Sequence, residues 1–216
     1  MTESKRVGIL GSGDVGQQLG RAFGAHGYNV KLGTRETKKV AAWLAEAPKS
    51  RTAGSFAEAA AFGDPVVLAT HGQATETVLD LAGPAAFAGK LVLDATNPLD
   101  FSHGMPPGLS FGMTDSLGER VQRKLAGALV VKCFNTVSNG KMVNPTFAAG
   151  PARMWICGND AGAKRRTEAI LRELGWAGAL DIGGIDGARW LEAMVPLWVR
   201  VGQALGTYNH LLQPIQ

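Results

Sequence analysis

The chain is short of the features that would take it outside the ordinary globular class. Among its 216 residues there are only two cysteines, Cys133 and Cys157. Neither belongs to a CxxC pair or a zinc-ligand spacing, which excludes a disulfide scaffold and a structural zinc site as readings. Each lies in an apolar run, LVVKCF or MWIC, and is expected to be a free thiol in the core. No apolar stretch approaches the ~20 residues needed to cross a bilayer. Behind MTESKR the apolar run Val7–Leu10 is short and gives way to glycines, so no secretory signal is expected and the chain reads as cytoplasmic. Charge of one sign is also scarce: 22 Lys and Arg against 18 Asp and Glu leave +4. The densest basic cluster, Lys164–Arg166, has no aromatic residues interleaved. Neither a nucleic-acid nor a membrane partner is expected from that pattern.

Acid–base machinery is equally sparse. The two tyrosines, Tyr28 and Tyr208, are followed four residues later by Leu32 and Leu212, so the Tyr/Lys relay of short-chain dehydrogenases is missing. HExxH, a Walker lysine and a GxSxG elbow are absent as well. Only His71 and Lys132 fall where a proton donor would be useful, and no residue is assigned as catalytic or metal-binding.

What the sequence has is glycine, 29 residues of it, and a regular alternation of short apolar runs with helical patterns. That alternation predicts an α/β fold with a doubly wound, mostly parallel sheet of the Rossmann type. Strands are expected at RVGIL, YNVKLG, PVVLAT, KLVLDAT and ALVVKCF, with a weak one near 51–53. Helices are expected over 14–27, 36–47, 55–62, 75–81 and 115–125. The Gly- and Pro-rich stretch 100–113 reads as a long loop. Two further strands, ARMWIC and ALDIG, flank a helix over 161–174, and a long apolar helix covers 187–205. Residues 1–136 therefore read as a nucleotide-binding domain and 137–216 as a small C-terminal α/β part.

Gly11-Ser12-Gly13-Asp14-Val15-Gly16 matches GxGxxG between a predicted strand and a predicted helix. Gly11 suits the tight turn, Gly13 the approach of a pyrophosphate, and Gly16 close packing of helix on strand. The helix N-terminus offers N–H groups and a positive dipole end to the phosphates. About 20 residues on, an NAD site carries a carboxylate for the ribose 2′-hydroxyl. Here the positions read Leu32, Gly33, Thr34 and Arg35. Gly33 would clear space, Thr34 can donate a hydroxyl, and Arg35 can pair with a 2′-phosphate, with Lys38 and Lys39 one turn away. NADP(H) is the expected cofactor.

Ligands of such sheets bind beyond the C-terminal strand ends. Thr70 and His71, Asn97 and Pro98, and Asn135 are placed there and can contact a nicotinamide carboxamide. Reducing a ketone needs a proton donor, whereas passing a hydride between two carriers mainly needs proximity and stacking. The missing acid–base set favours the second.

Taken together, GILGSGDVGQQLGRAFGAHGYNVKLGTRE, VLDATNPL, VVKCFNTV and GGIDGARWLEAMVPLWVRVG resemble the NADPH-dependent reductases of the deazaflavin coenzyme F420. A related domain occurs in the cytosolic part of six-transmembrane ferric reductases. The resemblance implies a nicotinamide stacked against a deazaflavin or flavin ring in a cleft between the two parts of the chain. It implies that Gly11, Ser12, Gly13, Asp14 and Val15 line the pyrophosphate turn, that Thr34 and Arg35 take the 2′-phosphate, and that Asn97, Pro98 and Asn135 line the nicotinamide pocket. The expected function is hydride transfer between NADP(H) and a flavin-like or F420 acceptor. The alternatives are a non-catalytic NADP(H) sensor and a dehydrogenase of a small imine or hydroxy acid. A homodimer through the C-terminal helix is a further expectation.

Overall fold

The computed structural model describes residues 5–214. The first half runs β1 (Arg6–Leu10), α1 (Asp14–Ala25), β2 (Asn29–Gly33), α2 (Ala41–Ala45), β3 (Arg51–Gly54), α3 (Phe56–Phe62), β4 (Val66–Leu68), α4 (Gly72–Ala82) and β5 (Leu91–Asp94). The hairpin β6 (Leu99–Asp100) and β7 (Gly108–Leu109) follows, then α5 (Leu117–Lys124) and β8 (Leu129–Lys132). The chain continues through β9 (Met154–Gly158), α6 (Ala161–Glu173), β10 (Ala179–Asp181) and α7 (Ala188–Leu205).

One sheet in the order β10-β9-β8-β5-β4-β1-β2-β3 carries the molecule. Its pairs are parallel except β8 with β9. The doubly wound α/β fold is thus as the alternation predicts, and the strands of 137–216 lengthen the same sheet at its β8 edge. Successive strand residues serve opposite faces. On β1, β4 and β5, Val7, Ile9, Val67 and Leu93 pack with Leu19 and Phe23 of α1 and Trp43 of α2. Val66, Leu68 and Val92 face the other way, onto Ala59 of α3, Leu79 of α4 and Val121 of α5. Each such side chain, fully buried, contributes about 1.5–3 kcal/mol.

Two elements differ from the sequence expectation. The stretch 36–47 is no single helix: it opens as a 3-10 turn, Thr37–Val40, before the short α2. The loop 100–113 contains the second arm of the β6–β7 hairpin, in which Leu99 faces Leu109. Leu99 also packs on Val195, Trp198 and Val199, so α7 gives that short hairpin a surface to lie on.

The register fixes where a ligand can sit. Gly33, Leu10, Leu68, Asp94 and Lys132 are cross-strand neighbours in one row. The residues that follow each of them therefore leave the sheet along a single edge.

Candidate functional site

A cavity of about 1010 Å³ opens along that edge. At the β1 end, Gly11 turns the chain at φ +121°, a conformation side chains rarely adopt, and a Cβ there would strike the Ala69 carbonyl. Gly16 lies against the Gly11 carbonyl, so the α1-to-strand approach leaves no room for a side chain. A Cβ on Gly13, by contrast, would meet nothing within 4 Å. The space above Gly13 is thus open toward the cavity. Ser55, Ser116 and Asp160 cap α3, α5 and α6 with their side chains. No side chain caps α1, nor α2, α4 and α7; of these, α1 starts at the open Gly13, where its first-turn N–H groups could receive an anion. Gln17 Nε2 braces the turn by donating to the Ser12 carbonyl at 2.9 Å.

At the end of β2, the Ser12 hydroxyl donates to Thr34 Oγ1 at 2.9 Å. Thr34 Oγ1 also accepts the Glu36 N–H at 3.2 Å. This presents Ser12, Thr34 and the exposed Arg35 side by side on the cavity wall. Gly33 lines the cavity and has a second role in packing. A Cβ on it would press on Phe56 and Ala59 at 3.1 Å, so its small size serves the packing of α3. Lys38 stands exposed in the 3-10 turn and outside the cavity wall. Lys39 lines the wall instead and pairs with Glu36 at 3.0 Å.

Thr70, His71, Asn97 and Asn135 all line the cavity. Thr70 Oγ1 lies 2.9 Å from Thr75 Oγ1, and His71 occupies the N-cap position of α4. Pro98 is buried beneath the wall, where its carbonyl accepts the Ser110 N–H at 2.8 Å and anchors the hairpin. Asn135 Nδ2 donates to Asn97 Oδ1 at 2.9 Å. Asn135 Oδ1 is buried and has no hydrogen-bond partner among the described residues. A buried amide oxygen without a donor is costly, and a ligand amide would satisfy it. Phe134, just before it, sits at φ 63°, a strained conformation for an aromatic residue.

Beneath this pair lies a charged cluster that motif reading leaves unassembled. Lys132 is fully buried; its Nζ contacts Asp94 Oδ2 at 3.0 Å and Glu192 Oε1 at 2.7 Å, and donates to the Thr96 carbonyl at 2.7 Å. Burial opposes its charge, but the Asp94 and Glu192 carboxylates more than offset that, and its pKa is raised. Asp94 Oδ1 also accepts from the Thr96 N–H at 2.9 Å and its hydroxyl at 2.6 Å. Glu192 accepts the N–H groups of Leu117 and Gly118, both at 2.9 Å, which ties α7 to the start of α5. Lys132 does not line the cavity. Of the two residues placed where a proton donor would be useful, Lys132 is thus a locked cation outside the cavity wall, and His71 lines the cavity. A signal for the cluster was present in the sequence. Asp94 and Lys132 each stand three residues before a strand-end asparagine, in DATN and KCFN.

Residues 6–98 match the sequence profile of the family described as NADP oxidoreductase, coenzyme F420-dependent. A protein from Arthrobacter sp. FB24, solved as a candidate F420-dependent NADP reductase, is 40% identical over 99% of this chain and 100% of its own, with a TM-score of 0.93. The chain belongs to the F420-dependent NADP oxidoreductase family. Another member, the F420-dependent NADP reductase of Methanothermobacter marburgensis, is 27% identical over 91% of this chain and 92% of its own length. The rat metalloreductase STEAP3 is also 27% identical over 91% of the chain, but the chain spans only 38% of that protein. Among the described residues no helix is long and apolar enough to cross a membrane, and no group of His, Cys, Asp or Glu is arranged to hold a metal. The family's NADP(H) fits the residues present: an open Gly13, an uncapped α1, a hydroxyl pair beside Arg35, and an unpartnered Asn135 oxygen.

Proposed function

We propose that the protein transfers hydride between NADP(H) and a flat flavin-like or deazaflavin acceptor. One observation carries the reading: the phosphate turn and the asparagine pair open into the same cavity as an apolar wall of Leu99, Val195, Trp198 and Val199. Gly11, Ser12, Gly13, Asp14 and Val15 form the pyrophosphate turn, with Gly16 packing α1 behind it. Thr34 and Arg35 take the 2′-phosphate, with Lys39 the nearer lysine and Lys38 at most a long-range charge. Asn135 and Asn97 orient the carboxamide, Thr70 and His71 border it, and Pro98 holds the loop. Residues 1–136 supply the nucleotide half and 137–216 complete the acceptor cleft. NADPH held by these residues would supply a hydride from nicotinamide C4, which the acceptor would take together with a solvent proton. The chain's part is to align the two rings and keep water from the wall, which is entropic and electrostatic work rather than acid–base work.

Stopped-flow mixing with NADPH and F420, FMN, FAD or a quinone tests the reading; no NADPH oxidation with any of them would refute it. A non-catalytic NADP(H) sensor would bind the nucleotide tightly and show no turnover with any acceptor. Reduction of a small imine or hydroxy-acid precursor would need a proton donor. With Lys132 locked away, His71 is the residue on the nicotinamide side to supply it, and His71→Ala separates the two chemistries. α7 also leaves Trp190, Leu197 and Leu205 exposed along one side, at spacings of seven and eight residues. That stripe supports a homodimer, which light scattering would show as a doubled mass.

A further inference from the structure

The buried cluster beneath the two asparagines does not cancel its own charge. Two carboxylates, Asp94 and Glu192, share the single ammonium of Lys132. Among the described residues, the other bonds these carboxylates accept come from neutral donors. Asp94 takes the Thr96 N–H and hydroxyl, and Glu192 takes the N–H groups of Leu117 and Gly118. Each bond needs the oxygen as acceptor, so both groups stand ionised, and two negative charges against one positive leave one negative charge in excess. The cluster is also sealed. Asp94 and Lys132 are fully buried and Glu192 is 2% exposed. A Cβ on Gly118 would come 2.7 Å from the Ala188 Cβ and 3.1 Å from Lys132 Cδ, so α5 and α7 close directly over the ammonium chain.

The Thr96 backbone stands between this charge and the cavity. Asp94 and Lys132 end β5 and β8, and both bond Thr96, the residue before Asn97. The Thr96 carbonyl accepts Lys132 Nζ at 2.7 Å and Asn135 Nδ2 at 3.5 Å. Ala95, Asn97, Phe134 and Asn135 line the cavity around it, whereas Asp94 and Glu192 do not.

We infer that the Asp94, Lys132 and Glu192 cluster tunes the redox balance of the bound nucleotide: its excess negative charge favours NADP⁺ over NADPH and so favours hydride donation. This rests on the placement of the nicotinamide beside Asn97 and Asn135 under the proposed function. Loss of a hydride takes a nicotinamide ring from neutral to one positive charge. The two forms share every phosphate and the whole adenosine, so contacts made there cancel between them. A fixed charge near the ring does not cancel, and one buried away from water and salt is screened least. Asp94 and Glu192 are positioning residues in this account. They act across the Thr96 backbone and touch neither nucleotide nor acceptor.

Dissociation constants for NADP⁺ and NADPH, measured by titration calorimetry at one pH and one ionic strength, test this. Glu192→Gln keeps the shape and removes one negative charge. Asp94→Asn does the same at the other end of the cluster, so the ratio can still be read if one of the two does not fold. Glu192→Asp keeps the charge and disturbs the geometry. Both charge-removing variants are expected to raise the ratio of the NADP⁺ to the NADPH dissociation constant roughly three- to tenfold over wild type. For a two-electron couple that is a rise of about 15–30 mV in the potential of the bound nucleotide. Glu192→Asp is expected to hold the ratio to within about twofold, since the charge stays. An unchanged ratio in the charge-removing variants, or an equal shift in Glu192→Asp, overturns the inference. Asn135→Ala checks the placement: unchanged affinity for both nucleotides would move the nicotinamide away from this floor and remove the inference with it. A shifted ratio in a protein that oxidises NADPH with no acceptor would end the hydride-transfer reading while the inference stands.

Discussion

Replacing Lys132 by methionine removes the ammonium from the buried cluster while keeping its length. In the native protein all three donors of Lys132 are used, on Asp94, Glu192 and the Thr96 carbonyl. The substitution leaves two carboxylates in a site with almost no solvent access. Asp94 keeps its bonds from Thr96, and Glu192 keeps the N–H groups of Leu117 and Gly118. Breaking a buried pair from one side costs about 3–5 kcal/mol, which for a chain of this size lowers Tm by about 6–20 °C. The pH dependence gives an independent check. The pKa of Lys132 is raised on folding, so its stabilisation is complete below the unfolded value of ~10.4 and is lost only as pH rises through the higher folded value. Lys132 should therefore add little slope to wild-type stability between pH 5 and 8. The variant should gain stability as pH falls across that range, because a protonated carboxyl relieves the orphaned pair. Glu192→Gln added to Lys132→Met should recover part of the loss. Differential scanning calorimetry at several pH values measures all three. A loss below about 1 kcal/mol, or a variant whose pH profile parallels the wild type, would refute the account of the cluster.

Three further predictions follow from the site. Arg35→Ala should weaken NADPH binding by roughly 10–100-fold and leave NADH binding nearly unchanged, because a charge-assisted contact of about 1.5–3 kcal/mol is lost to one nucleotide only; titration calorimetry reads both. Gly13→Val fills space that the fold leaves open, so Tm should hold to within the effect of an ordinary surface change, about 0.5 kcal/mol, while NADPH affinity collapses; Gly11→Val, at φ +121°, should lose stability as well. Burial pushes the Cys157 thiol up to about 12 and raises the Cys133 thiol well above its usual value, so neither should react with a disulfide reagent at pH 8 until the protein is unfolded.

The nucleotide half was legible because its signals are local. GxGxxG between a strand and a helix constrains a turn within a few residues, and the absence of a carboxylate at Gly33-Thr34-Arg35 speaks for the cofactor without any tertiary contact. The hairpin inside 100–113 was not legible: two strands of two residues carry no periodicity, and their partner surface comes from α7, ninety residues later. Lys38 and Lys39 were indistinguishable in sequence, since which of two adjacent lysines faces a cavity depends on the phase of a 3-10 turn. Gly33 lines the cavity, but that its Cβ direction faces Phe56 and Ala59 of α3 could be read only from the structure.

The sequence by itself determined the doubly wound order of elements and the glycine turn between β1 and α1, because each is encoded by short-range spacing and periodicity; the family came from the resemblance of longer motifs spread along the chain. Only the tertiary structure decided the rest: that Asp94, Lys132 and Glu192 form one buried cluster, that Asn135, whose Oδ1 has no hydrogen-bond partner among the described residues, lines the same cavity as the glycine turn, and that α7 supplies that cavity's apolar wall. The physical reason is common to all three. Each depends on strand register and on where α7 lies, and side chains brought together from β5, β8 and α7 are separated by up to ninety-eight residues along the chain.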